Sequence, residues 1–196
     1  MAVLVTGGAR SGKSSFAEQY AKHIGAHGIY IATCQLYDEE MKERVGKHRL
    51  DREAAGFNWE TIEEPYETIQ LLQRLREEFA GIVQNGDKPP VVLLDCLTLW
   101  LTNWMLRIDH ESLGEFRLEE ETDKLLDAFR AFSYPLIIVT NEVGDGIVPA
   151  YPLGRKFRDE AGRLNQKVAA LCERVFLVTA GIPIELKSLA FRWDEL

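Results

Sequence analysis

Cysteine is scarce in this chain, basic residues are outnumbered, and no long apolar run occurs. The three cysteines, Cys34, Cys96 and Cys172, are odd in number and share no CxxC spacing. That argues against a disulfide framework and against a structural zinc site, so reduced thiols in the cytoplasm are expected. No apolar stretch approaches the ~20 residues that a membrane helix needs, and no membrane span is expected. The residues ahead of "TGGARSGKS" carry neither a basic n-region nor a small-residue cleavage motif, so no signal peptide is expected. With 23 basic against 31 acidic side chains the net charge is −8, which disfavours nucleic acid as a partner.

What is present is ordinary globular material: 46% hydrophobic and 28% charged residues over a length of 196, enough for one core. No internal repeat, low-complexity tract or linker marks a boundary, so a single domain over residues 1–196 is expected. Short apolar runs alternate with longer amphipathic segments. Strands are expected at 2–6, 28–33, 91–95, 135–140 and in "RVFLVTAG" near the C-terminus. Helices are expected near 13–24, 38–54, 66–84, in "LTLWLTNWML", in "GEFRLEEETDKLLDAFRAF" and near 155–172. Strands alternating with helices predict an α/β fold with a mostly parallel sheet covered by helices on both faces.

The segment "GGARSGKS" fits G-x-x-x-x-G-K-[ST] between a predicted strand and a predicted helix. Glycines let successive backbone amides face an anion, and the helix N-terminus adds a favourable dipole. Lys13 supplies positive charge for β- and γ-phosphates, and the Ser14 hydroxyl a ligand for Mg²⁺. A carboxylate at the end of a core strand completes such a metal site, and "VVLLDC" puts Asp95 there. Read alone, Asp95 could equally cap the helix that follows.

Three more segments fall at the expected C-terminal edge of the sheet, the usual ligand side: "IATCQ", "TNEVGDGIVP" and "RKFRDEAGRLNQ". The long loop at 141–154 reads as substrate-facing. Arg155 and Arg158 share a helix face and are either a phosphate clamp or surface ion pairs. The tryptophans of "LWLTNWML" read as core, with a subunit interface as the alternative.

His48 lies in "KERVGKHRLDRE" among Lys47, Arg49 and Arg52. A lone histidine in a charged helix is mostly idle, but a basic cluster attracts polyphosphate and favours a neutral, nucleophilic imidazole. Attack on an α-phosphate would expel pyrophosphate and leave a nucleotidyl-histidine. Such a group must be unprotonated, so nucleotidylation should fall as pH drops through the imidazole range.

The motifs "LVTGGARSGKS", "YIATCQ", "RVGKHRLDR", "WETIEEP", "TNEVGDGIVP" and "GRKFRDEAGRLNQKVA" occur here in one order, over about residues 2–187. In this the chain resembles the CobU/CobP family, the bifunctional adenosylcobinamide kinase / adenosylcobinamide-phosphate guanylyltransferases of cobalamin biosynthesis. The resemblance implies a P-loop NTPase-like fold, a homotrimer, Mg²⁺, and ATP and GTP as substrates. It also implies two reactions. A nucleoside triphosphate phosphorylates adenosylcobinamide, then GMP passes from GTP through a guanylyl-histidine to adenosylcobinamide phosphate, giving adenosylcobinamide-GDP.

By the same resemblance His48 is the guanylylated nucleophile and Lys13 serves the kinase step. Gly7, Gly8, Ala9, Arg10, Ser11, Gly12, Lys13 and Ser14 bind phosphates. Ala32, Thr33, Cys34, Arg49, Leu50, Asp51, Arg52, Glu63 and Asp95 complete the nucleotide site, with Ser14 and Asp95 on the metal. Glu60 and Glu64 compete with Glu63, because the spacer "EAAGFN" before Trp59 is longer than the family's. The tail after residue 187 matches nothing. Two rival readings are a single-function small-metabolite kinase and a nucleotide-switched binding protein.

Overall fold

The computed structural model describes residues 2–35, 43, 46, 50, 52, 56–114 and 116–192. Its centre is a seven-stranded sheet of order β3-β2-β4-β5-β1-β6-β7. The strands are β1 (Ala2–Thr6), β2 (His27–Ala32), β3 (Asn58–Glu63), β4 (Val91–Asp95), β5 (Leu136–Val139), β6 (Arg174–Thr179) and β7 (Ile182–Glu185). All neighbours pair parallel except β6 and β7. The helices are α1 (Lys13–Ile24), α2 (Thr68–Gln84), α3 (Leu97–Glu111), α4 (Arg117–Ala131) and α5 (Pro152–Leu171).

β1, β4 and β5 are nearly unbroken aliphatic runs because both of their faces are covered. On one face Val3, Val5, Tyr30, Leu93, Ile137 and Val139 pack with Ala17 and Ala21 of α1. Two alanines one turn apart let that helix lie close to the sheet. On the other face Leu4, Ile31, Leu94 and Ile138 meet Leu72 and Phe79 of α2, Trp100 of α3, Leu125 of α4 and Leu164 of α5. Trp100 and Trp104 are 0% and 6% exposed, so the tryptophan-rich segment is core.

Apart from the helix expected at 38–54, the sequence-based strands and helices find their counterparts, with two additions. β3 is an edge strand whose Asn58, Glu60 and Glu63 are exposed, so its apolar content is low. β7 is also an edge strand and contains Pro183, which only an edge tolerates. α5 starts at Pro152, earlier than expected, because proline suits the first helical position. The helix expected at 38–54 lies mostly outside the described residues; positions 43, 46, 50 and 52 are helical. The unmatched tail begins hydrogen-bonded to the chain before it: Ser188 N–H donates to Glu185 Oε2 at 2.6 Å and Leu189 N–H to the Leu186 carbonyl at 3.2 Å.

Candidate nucleotide site at the C-terminal edge of the sheet

Register fixes the floor of the site. Glu63, Ala32, Asp95 and Val139 form one row across β3, β2, β4 and β5, at their C-terminal ends. The next strand, β1, runs into the glycine loop, residues 7–12, which enters α1. Gly7 has no room for a side chain, since a Cβ there would strike the Val178 carbonyl oxygen. Gly12 sits at φ 94° and Arg10 at φ 57°, so the loop turns through left-handed backbone twice. Two further bonds brace it: Gly181 N–H donates to the Ser11 carbonyl at 2.8 Å and Glu142 N–H to the Gly7 carbonyl at 3.0 Å.

The loop opens on the N-terminus of α1, which has no side-chain cap among the described residues and no acidic residue in its first turn. Its positive end is therefore left to an anion. Lys13 is 7% exposed, and its amine donates to the Gly8 carbonyl at 3.3 Å. Gly8, Ala9 and Arg10 are exposed, Ser11 is buried and Ser14 is half-buried.

Cys96 follows β4 and is buried; burial, then the Asp95 carboxylate, pushes its thiol up to about 12 against the opposing Lys13 charge. Asp95 is half-buried, and Tyr30 donates its hydroxyl to Asp95 Oδ2 at 2.8 Å. Burial, then Asp95, holds the Tyr30 phenol well above its ordinary value against the opposing Arg52 charge, so it stays a proton donor. The Arg52 guanidinium carbon stands 3.7 Å from the Tyr30 ring centroid. Hard oxygen donors, one carboxylate and one hydroxyl beside a phosphate loop, are the set that Mg²⁺ takes with a nucleotide.

Thr33 is wholly buried. Its hydroxyl donates to the Cys96 carbonyl at 2.7 Å and accepts the Cys96 N–H at 2.9 Å, and its own N–H donates to the Asp95 carbonyl at 3.2 Å. Asn103 on α3 donates to the Thr33 carbonyl at 2.8 Å and the Pro65 carbonyl at 3.1 Å. Thr33 thus holds the β2 and β4 ends together from below, while Ala32 and Cys34 beside it are half-buried. Among the three glutamates, Glu63 pairs with Ala32 at the edge and Glu60 with Ile29, further back. The Glu64 carboxylate accepts the N–H groups of Tyr66 and Glu67 at 3.1 and 2.8 Å, turning the chain into α2.

The loop after β5 is held to α5 by side chains. Thr140 donates to Asn165 Oδ1 at 2.7 Å, Asn165 donates to the Asn141 carbonyl at 3.1 Å, and Asn141 N–H donates to Thr98 at 2.8 Å. Arg158 binds the Gly144 carbonyl, and Arg155 the Pro149 and Ala150 carbonyls at 3.1 and 2.7 Å. Both arginines therefore brace this loop, and Arg163 pairs with Glu160 on the helix surface. Leu50 is exposed. His48, Arg49 and Asp51 lie outside the described residues.

Sequence reasoning passed over Tyr30 and Asn103. Both carried a signal: a phenol inside an aliphatic strand and an amide inside an apolar helix each need a buried partner.

A model of the cobinamide kinase / cobinamide phosphate guanyltransferase family matches residues 3–186. The chain is 42% identical to a bifunctional adenosylcobalamin biosynthesis protein CobP of Pseudomonas aeruginosa, over 94% of this chain and 96% of the relative. It is 38% identical to the bifunctional adenosylcobalamin biosynthesis protein CobU of Escherichia coli, over 95% of this chain and all of the relative. The Salmonella typhimurium protein of the same description is 36% identical, again over 95% of this chain.

Proposed function

Because the chain belongs to the cobinamide kinase / cobinamide phosphate guanyltransferase family, we propose that it performs both reactions at this sheet edge, as one nucleotide-binding unit. In the first, the hydroxyl of adenosylcobinamide's aminopropanol arm attacks the γ-phosphorus of ATP or GTP. An O–P bond forms, the bond to the β-phosphate oxygen breaks, and the nucleoside diphosphate leaves. In the second, the His48 imidazole attacks the α-phosphorus of GTP and pyrophosphate leaves. The corrinoid phosphate then displaces His48 from phosphorus, giving adenosylcobinamide-GDP.

The loop amides and the buried Lys13 bind the phosphates and meet the charge that grows on them during transfer. Ser14 and Asp95 hold Mg²⁺, which when bound neutralises phosphate charge. Glu63, Ala32 and Cys34 line the nucleotide from β3 and β2, Thr33 keeps that edge in place, and Arg49 to Arg52 flank the nucleophile. A phosphate loop serves the γ-phosphate, whereas His48 must reach the α-phosphate. The two steps therefore use different nucleotide positions or different placements of the His48 segment.

No described helix is long and apolar enough to cross a membrane, and the described cysteines are free thiols; we place the enzyme in the cytoplasm. Exposed Leu106, Tyr151 and Leu153 line an apolar hollow of about 240 Å³ between α3 and α5, and Ile147 and Val148 are exposed in the loop before α5. That surface supports a homo-oligomer, a trimer by family, which light scattering tests.

The observation that carries the reading is a match that spans the glycine loop and the His48 segment together. The test is incubation with Mg²⁺ and GTP labelled on the α-phosphate. An acid-labile, base-stable GMP adduct is expected, absent in His48→Asn. Phosphorylation of cobinamide by γ-labelled nucleotide without any α-label on the protein would leave a kinase alone.

A further inference from the structure

We infer that Tyr30 is a positioning residue serving both halves of this site: its hydroxyl orients the Asp95 carboxylate while its ring seats the Arg52 guanidinium. The inference rests on the proposed function for what those two groups do.

Register brings the three together. Tyr30 lies opposite Leu93, and Ala32 opposite Asp95, so Asp95 is two residues further along the neighbouring strand on the same face. A diagonal neighbour at that separation is within reach of a long aromatic side chain. The phenol spans it and donates at 2.8 Å to Oδ2. On the ring itself, Arg52 sits 3.7 Å from the centroid. Trp59 from β3 meets Tyr30 edge-on, with centroids 5.9 Å apart and planes at 85°. Tyr30 and Arg52 are 6% and 5% exposed.

Burial makes this arrangement specific. A buried phenol needs an acceptor, and a buried guanidinium over a desolvated ring gains more than an exposed one. Arg52 follows His48 by four residues in the chain. One side chain therefore fixes a carboxylate assigned to the metal and also holds the end of the segment that bears the nucleophile. Phenylalanine would keep the second role and lose the first; leucine would lose both.

The experiment compares Tyr30→Phe, Tyr30→Leu and Trp59→Phe in the full chain. Three quantities are read: the Mg²⁺ concentration that half-saturates binding of a fluorescent GTP analogue, the rate of GMP incorporation at saturating Mg²⁺ and GTP, and the thermal midpoint. Tyr30→Phe should raise half-saturating Mg²⁺ about threefold or more and leave incorporation within about twofold. Tyr30→Leu should shift the Mg²⁺ requirement similarly and also slow incorporation about tenfold. Trp59→Phe should lower only the midpoint.

An unchanged Mg²⁺ requirement in Tyr30→Phe overturns the Asp95 role. Equal incorporation by the Phe and Leu variants overturns the Arg52 role. Losses that merely track the midpoint in all three variants overturn both, leaving Tyr30 as packing. A wild-type protein that binds GTP yet forms no adduct would sink the proposed function and the Arg52 role, while the Mg²⁺ comparison still decides the Asp95 role.

Discussion

Asn103 and Thr33, 70 positions apart in sequence, meet through a 2.8 Å hydrogen bond from the amide to the carbonyl, and neither is exposed. The same amide reaches the Pro65 carbonyl at 3.1 Å. One side chain thereby ties α3 to the ends of both β2 and β3, where the candidate nucleotide site begins.

Replacing Asn103 with leucine leaves two carbonyls without that donor and should cost about 1–3 kcal/mol in urea unfolding. Arg130→Ala, which breaks an exposed i,i+3 pair with Asp127, should cost at most about 0.5 kcal/mol. Equal costs would mean that the buried amide contributes nothing special.

The parts of the fold that depend on continuous burial were legible in the sequence. β1, β4 and β5 read as aliphatic runs because helices cover both sides, and the glycine loop followed from local chemistry alone. The parts set by edges were not. β3 and β7 have one side or one edge open, so their composition matches that of loops. Arg155 and Arg158 illustrate a different limit. Their spacing identified a shared helix face, yet only the fold brings the carbonyls of Gly144, Pro149 and Ala150 within their reach. Tyr30 belongs to the same class, since its partners Asp95 and Arg52 come from β4 and from a segment beyond β2.

Thiol reactivity tests the packing at the β4 end. Burial pushes both Cys96 and Cys172 up to about 12, so almost no thiolate exists at neutral pH, whereas Cys34 is half-buried at the sheet edge. Native protein treated with a thiol reagent should modify Cys34 first, with Cys96 and Cys172 reacting only on unfolding. If Cys34 lines the nucleotide site, GTP should slow its modification. Rapid modification of Cys96 would contradict its burial at the end of β4.

Glu185 gives an acid-side signature. It accepts N–H bonds from Val175 at 3.0 Å, Lys187 at 3.1 Å and Ser188 at 2.6 Å, which hold its carboxyl below the usual range. A depressed folded pKa means that the contribution is complete above the ordinary carboxylate value and is lost as pH falls through the folded one. Glu185→Gln should therefore be less stable than wild type at neutral pH, with the gap narrowing on acidification. A gap that is constant between about pH 7 and 3 would exclude this linkage.

The final prediction concerns the nucleophile. An imidazole attacks phosphorus only when unprotonated, and its ordinary pKa is about 6.5. Initial rates of GMP incorporation at saturating GTP should therefore fall about tenfold for each pH unit below the imidazole's pKa and level off above it. A purely phosphate-loop reaction has no such obligatory deprotonation, so γ-phosphoryl transfer to cobinamide should respond less over the same interval. The split matters more than either curve alone, because loss of folding or of GTP binding at low pH would depress both reactions together. A flat profile for incorporation between about pH 5.5 and 8 would remove histidine as the attacking group. It would do so even if a covalent GMP adduct still formed, and the search for the nucleophile would then move to another side chain.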